Sequence, residues 1–140
     1  MTPPKWFKPA VIVALLWNLI GCLAYLADVM VSADAIAKMT AAEQALRAAR
    51  PAWSVGATAV GVWFGAAGCL ALLLRKPVAT ALLVASLLGV IVQDISFATM
   101  ASKLAALGTA PLVLQSLVLI VCVALVWLDR QATAQGWVRG

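Results

Sequence analysis

Residues 52–98 read AWSVGATAVGVWFGAAGCLALLLRKPVATALLVASLLGVIVQDISFA, which is two long apolar runs separated by Arg75, Lys76 and Pro77. Each run has the roughly 20 residues that a helix needs to cross a hydrocarbon layer about 30 Å thick. Charged residues resist burial in lipid, and proline suits the first position of a new helix. The stretch therefore predicts two membrane-spanning helices that form a close antiparallel pair.

Two further apolar runs lie outside this pair. The sequence predicts four spans in all, at residues 9–28, 52–74, 77–98 and 109–128. The composition agrees, because 65% of the 140 residues are hydrophobic and 11% are charged, whereas about a quarter are charged in a soluble domain. We expect an all-α fold, with one integral membrane four-helix bundle forming a single domain.

The segment between the first two spans is too polar to cross a membrane. It contains Thr40-Ala-Ala-Glu43, which has the spacing of a capping box at a helix start. We expect a short amphipathic helix over about 34–50 that lies on the outer surface and partly covers the bundle. The alternative is a solvated helical connector held by a Glu43–Arg47 pair.

The charged residues at the span ends predict the orientation. Four spans place both termini and the 75–77 turn on one face, with six basic residues: Lys5, Lys8, Arg75, Lys76, Arg130 and Arg139. The opposite face has four: Lys38, Arg47, Arg50 and Lys103. The positive-inside rule then predicts that both termini lie in the cytoplasm. Because the basic residues form no stripe, nucleic-acid binding is not expected.

Polar side chains recur within the apolar spans. At about 100° per residue, Asn18, Gly21, Tyr25 and Asp28 fall within an arc of roughly 80° on the first helix. The third span repeats this pattern, with Ser86, Gly89, Gln93 and Phe97 on one face, and Asp94 beside it. Gln115 lies near the outer end of the fourth span.

Two interpretations of these polar residues remain open. One is hydrogen bonding between helices, worth on average about 0.6 kcal/mol per contact. The other is an outward-opening pocket that binds a small-molecule or lipid-like ligand. Its candidate lining residues are Trp17, Asn18, Tyr25, Asp28, Trp63, Gln93, Asp94 and Gln115. Within it, Asp28 and Asp94 could form a proton-titrating pair, or each could reach interfacial water.

Small residues recur every four positions in two spans, which is typical of closely packed membrane helices. The second span contains Ala57, Gly61, Gly65 and Cys69, and the third contains Ala81, Ala85 and Gly89. We expect these two ridges to pack against each other within one chain. Homodimerisation through either ridge is the alternative.

Several kinds of chemistry are not expected. The chain has no histidine, and its three cysteines are scattered singly, so the sequence predicts no metal site. No nucleophile–base pair or phosphate-binding loop indicates an enzyme. Leu19-Ile20-Gly21-Cys22 matches a lipoprotein signal box, which would place cleavage and lipidation at Cys22. Because the apolar run continues past this cysteine, an uncleaved span is favoured.

The stretch Pro51-Ala-Trp53, continuing through Gly61 to residues 64–74 (FGAAGCLALLL), resembles the DoxX-like grouping of small bacterial membrane proteins. The resemblance implies a four-helix inner-membrane bundle, and in some relatives a quinone-linked redox accessory role. Members of that grouping often carry an acidic residue before the glycine pair of the second helix, where this chain has Val62-Trp63-Phe64. No functional residue is therefore carried over.

Taken together, these patterns predict a non-enzymatic membrane protein that binds or transports a small solute or lipid-like molecule through the polar pocket. No bound cofactor is required by this interpretation. One alternative is an accessory subunit of a membrane redox system, in which Trp17 and Trp63 would contact a quinone. Another is a structural or assembly factor that has no ligand.

Overall fold

Seven helices make up the structure, a computed structural model that describes residues 3–105 and 107–138 apart from the side chains of Lys103 and Leu104. They are α1 (Phe7–Val29), α2 (Ala33–Ala37), α3 (Ala41–Ala49), α4 (Ala52–Leu73), α5 (Ala79–Thr99), α6 (Ala101–Ala105) and α7 (Ala110–Ala134). No strand occurs within the described residues. The predicted all-α fold is confirmed.

Four of these helices, α1, α4, α5 and α7, are long and apolar enough to cross a membrane. The chain is a small multi-pass integral membrane protein. Helix α7 continues beyond residue 128, where the sequence predicts the end of the fourth span, as far as Ala134. The reason is that Asp129 is 1% exposed and accepts a hydrogen bond from Thr80, so its charge does not direct the chain into water.

Two short helices, rather than the one expected over 34–50, connect α1 to α4. The break comes at Thr40, whose extended backbone and side chain begin α3 as an N-cap. Its hydroxyl oxygen accepts a hydrogen bond from the Glu43 N–H at 3.2 Å and lies 3.1 Å from the Glu43 carboxylate. The Thr40 half of the predicted capping box therefore forms, whereas the Glu43 carboxylate accepts from the Thr40 hydroxyl, and this cap divides the segment into two helices.

Helix α4 lies at the centre of the bundle, between α1 and α5, and α7 packs on the far side of α5. The predicted α4 ridge is buried throughout, at Ala57, Gly61, Gly65 and Cys69. Because α1 and α5 already cover this ridge, it cannot also bind a second copy of the chain. The predicted α5 ridge is wrong in part, since Ala81 is exposed and Gly89 is the member that reaches α4.

The inner end of the bundle, meaning the end that holds both termini, is closed by aromatic rings. Trp137 follows α7 and packs edge-on against Phe7 and Trp6, with ring centroids 5.4 and 6.0 Å apart. Arg75, at φ 60° in the α4–α5 turn, donates from Nε to the Trp137 carbonyl at 2.6 Å. The largest buried apolar cluster extends from here and includes Val11, Leu72, Leu83 and Leu125.

Candidate functional site

A cleft opens on the side of the bundle between α1 and α7, and its floor is formed by α4 and α5. We call it the lateral cleft; its volume is about 220 Å³. The residues that define it are Trp17, Asn18, Gly61, Gln93, Val118 and Cys122. These positions come from four different helices, so the cleft is a property of the whole bundle.

The cleft exists because α1 and α7 share little packing away from the aromatic cluster at the inner end. Two residues of its lining, Ile20 of α1 and Leu114 of α7, are 65% and 52% exposed, and they mark the opening. Gly21 and Gly61 contribute no side chains to fill the space. The cleft therefore opens sideways, towards the region that lipid occupies around a membrane bundle.

Asn18 lies on the α4 side of the cleft and is 8% exposed. Its Nδ2 donates to the Ala14 carbonyl at 2.8 Å and contacts the Cys69 sulfur at 3.5 Å. A methyl group at Gly65 would collide with the Asn18 amide oxygen, so this glycine makes room for the side chain. Asn18 thus contributes to packing between α1 and α4.

Gln93 differs from Asn18, because no described residue hydrogen bonds to its side chain. It is 9% exposed and lines the lateral cleft from α5. Trp17, which is half-buried, lines the cleft from α1. An aromatic ring and an amide without a protein partner therefore share one apolar cavity.

Asp94 and Gln115 lie together in another cavity, which we call the outer cavity. It has a volume of about 510 Å³ and lies between α5, α6 and α7 at the end of the bundle opposite the termini. One oxygen of each side chain, Oδ1 of Asp94 and Oε1 of Gln115, is buried with no hydrogen-bond partner among the described residues. Both belong to the predicted site, but they line a different cavity from the one that Asn18 lines.

Asp28 forms ion pairs and does not act with Asp94. Its carboxylate lies 2.8 Å from a guanidinium nitrogen of Arg47 and 2.8 Å from one of Arg50. Arg47 also donates to the Asp28 carbonyl. Arg47 thus pairs with Asp28, whereas the connector alternative paired it with Glu43, and these contacts attach α3 to the end of α1.

The surface-helix cavity, of about 260 Å³, lies beside this ion pair and is lined by Asp28, Arg47, Phe97, Leu114 and Gln115. It shares Leu114 with the lateral cleft, and Phe97 and Gln115 with the outer cavity. The single outward-opening pocket expected from the sequence is therefore three adjoining cavities.

The remaining predicted site residues, Tyr25 and Trp63, line none of these three cavities. Trp63 is 43% exposed on the surface of α4, and it does not line the lateral cleft with Trp17. Of the two tryptophans predicted to line the pocket, Trp17 lines the lateral cleft and Trp63 does not.

Sequence reasoning missed several polar residues at helix interfaces. Thr80 of α5 donates to Asp129 of α7 at 2.7 Å, and the second carboxylate oxygen of Asp129 is buried and has no partner in the described part of the chain. Thr58, in the floor of the lateral cleft, donates back to the Ser54 carbonyl at 3.0 Å. Thr80 and Asp129 are 49 residues apart, so the sequence carries no spacing signal for this contact.

The cysteines serve as packing residues. Cys22, Cys69 and Cys122 are all buried and unbridged. Cys22 donates from its thiol to the Val62 carbonyl of α4 at 3.3 Å. Within the described part of the chain, no three acidic, cysteine or histidine residues come together as metal ligands.

Comparisons with protein-family models, curated proteins and solved structures found no match for this chain. The DoxX-like resemblance therefore stays a prediction from the sequence.

Proposed function

We propose that this protein binds a small amphiphilic molecule, which enters the lateral cleft from the membrane. The observation that carries the proposal is the unpartnered Gln93 amide inside an apolar cavity that opens between α1 and α7. Binding sites for small molecules are typically apolar cavities with a few polar groups that fix orientation. The lateral cleft has this character.

The cleft favours a ligand with an apolar body. Its lining is dominated by aliphatic and small residues such as Gly61, Val90 and Val118, with Trp17 at one side. Burial of apolar surface contributes less for a molecule that leaves lipid than for one that leaves water. Shape and hydrogen bonding would then select the ligand.

The Gln93 side chain supplies the hydrogen bond. Its amide presents both a donor and an acceptor, and a buried polar group without a partner is costly. A hydroxyl or carbonyl group on the ligand would satisfy it. We therefore infer an amphiphile with one such group, and binding in preference to transport.

Thermal unfolding of the protein in lipid nanodiscs tests this proposal with 1-decanol and n-decane as probes. Decanol should raise the melting temperature saturably, and decane should not. Gln93→Leu should weaken the decanol affinity about two- to tenfold, because a neutral hydrogen bond contributes roughly 0.5–1.5 kcal/mol.

Gln115→Leu is the matched control, since it makes the same change at a glutamine that lies outside the lateral cleft. It should leave decanol binding unchanged. Equal stabilisation by both probes, or equal effects of both substitutions, would overturn the proposal.

A quinone is the second candidate ligand, because its carbonyls could accept a hydrogen bond from Gln93 while its ring packs on Trp17. This would make the protein an accessory subunit of a redox system. A short-chain quinone in the same assay distinguishes the two. It should compete with decanol if quinone is the natural ligand, and it should have no effect otherwise.

A further inference from the structure

The outer cavity contains polar groups that the proposed function does not use. Asp94, Phe97, Gln115 and Ser116 line it within walls that are otherwise formed by alanine and leucine. It lies on the side of α5 that faces α7, whereas the lateral cleft lies between α1 and α7. The two cavities share no lining residue, so their ligands can be considered separately.

The register of α5 and α7 brings Asp94 and Gln115 together. Thr80 of α5 donates to Asp129 of α7 near the inner end, which fixes one level of this antiparallel pair. Asp94 follows Thr80 by 94 − 80 = 14 residues, and Gln115 precedes Asp129 by 129 − 115 = 14 residues. Equal separations along two antiparallel helices place both side chains at the same level of the bundle.

Each of these two side chains has one oxygen atom that accepts no hydrogen bond from a described residue. Asp94 Oδ1 and Gln115 Oε1 are buried and have no hydrogen-bond partner among the described residues. A carboxylate oxygen accepts hydrogen bonds only, and leaving it buried without a donor is especially costly. Among the described residues, no donor therefore reaches either of these two oxygens.

The nearest described cations are held by another acid. Arg47 and Arg50 line the adjoining surface-helix cavity, and both form ion pairs with Asp28. Lys103 belongs to α6, which borders the outer cavity, and its side chain lies outside the described residues. An experiment must therefore distinguish a cationic ligand from Lys103, the cation that this chain itself carries on α6.

We propose that the outer cavity binds a primary ammonium group attached to a short apolar body. The ammonium carries the positive charge that complements the Asp94 carboxylate, and it has N–H donors for both unpartnered oxygens. The ring of Phe97 adds a surface that attracts cations, and the alanine and leucine walls accommodate the apolar body. A quaternary ammonium has no N–H, and an alcohol has no charge, so neither meets both requirements.

Equilibrium dialysis against the protein in phosphatidylcholine nanodiscs tests the proposal, with labelled hexylammonium as the probe and empty nanodiscs as the blank. Hexylammonium should bind saturably and more tightly than hexyltrimethylammonium or 1-hexanol. Asp94→Asn should weaken its binding at least about tenfold, because hydrogen bonds to a charged group are the stronger kind. Gln115→Leu should weaken binding less.

Asp34→Asn is the matched control, because it removes the same charge from an exposed residue of α2, and it should bind as the unaltered chain does. Lys103→Gln tests the internal cation, and tighter hexylammonium binding in this variant would show that Lys103 competes for Asp94. The proposal is overturned if neither the unaltered chain nor Lys103→Gln binds hexylammonium, or if Asp94→Asn binds it equally well.

The ammonium group could belong to a free amine or to the headgroup of phosphatidylethanolamine. Replacing half of the phosphatidylcholine by phosphatidylethanolamine separates these sources. If the site binds the lipid headgroup, phosphatidylethanolamine should compete with hexylammonium. If the site binds a free amine, hexylammonium binding should be unaffected. Gln93→Leu should not alter hexylammonium binding. Failure of this site is therefore distinguishable from failure of the lateral cleft.

Discussion

Single glycines set how closely the central helices approach. A methyl group at Gly89 of α5 would lie 2.8 Å from the Ala57 carbonyl oxygen and 2.9 Å from the Gly61 nitrogen, both backbone atoms of α4. At Gly65 the obstacles are side chains of Asn18 and Ser86, which can move more easily. An added methyl group is therefore harder to accommodate at Gly89, where the backbone of α4 would have to move, than at Gly65.

Gly89→Ala should lower the free energy of unfolding by about 1–3 kcal/mol, which is the usual cost of overpacking. Gly65→Ala should cost less. Gly56→Ala is the control, because nothing lies within 4 Å of the added methyl group, and alanine favours a helix by up to about 1 kcal/mol. Unfolding in mixed micelles, followed by circular dichroism, measures all three. Equal stability of the Gly89 and Gly56 variants would contradict this account of the α4–α5 contact.

At the scale of helices, the sequence predicted which segments cross the membrane but not how each is rotated. Length and apolarity are enough to predict four spans. The buried residues of α5 include Ala79, Leu83, Ser86, Val90 and Gln93, at alternating spacings of four and three, together with Gly89 and Ser96. Ala81 fits a small-residue spacing equally well and is exposed, because spacing does not specify which neighbour a face meets.

The attachment of α3 to α1 is an element-scale feature that sequence spacing could not reveal, because Asp28 and Arg47 lie in different helices. Asp28→Asn should increase hydrogen exchange across Ala41–Ala49, since it weakens the bonds to Arg47 and Arg50. The global stability should fall by about 1 kcal/mol or less, because the Asp28 side chain is 36% exposed.

Mass-spectrometric hydrogen exchange of α3 checks this expectation, with Asp34→Asn as the control that removes a charge without breaking these ion pairs. If α3 exchanges at the same rate in both variants, the Asp28 ion pairs do not hold it in place.

At the scale of the whole molecule, an aromatic cluster packs the two chain ends together at the inner end, and the lateral cleft, the outer cavity and the surface-helix cavity lie beyond it. The aromatic cluster joins both termini at the inner end, and the separation of α1 from α7 leaves the lateral cleft beyond it. The sequence predicted polar residues in the outer half. It could not predict that α5 would divide them between separate cavities, because that depends on packing among four helices.

The orientation of the bundle is a prediction based on six basic residues against four, of which Arg139 lies outside the described residues. A membrane-impermeant maleimide should label Asp34→Cys in spheroplasts, and should label Gln135→Cys only after lysis, because both positions are exposed. The native cysteines are buried, so the unaltered chain gives the background. The reverse pattern would place the termini outside.

The central claim is that the lateral cleft takes up an amphiphile beside Trp17, and fluorescence quenching tests it most directly. Two proteins are compared, each keeping one of the six tryptophans, Trp17 or Trp63, with phenylalanine at the other five positions. We expect 10-bromodecanol to quench Trp17 saturably, and Trp63 only in proportion to the probe dissolved in the lipid. Equal, non-saturating quenching of both tryptophans would contradict the account.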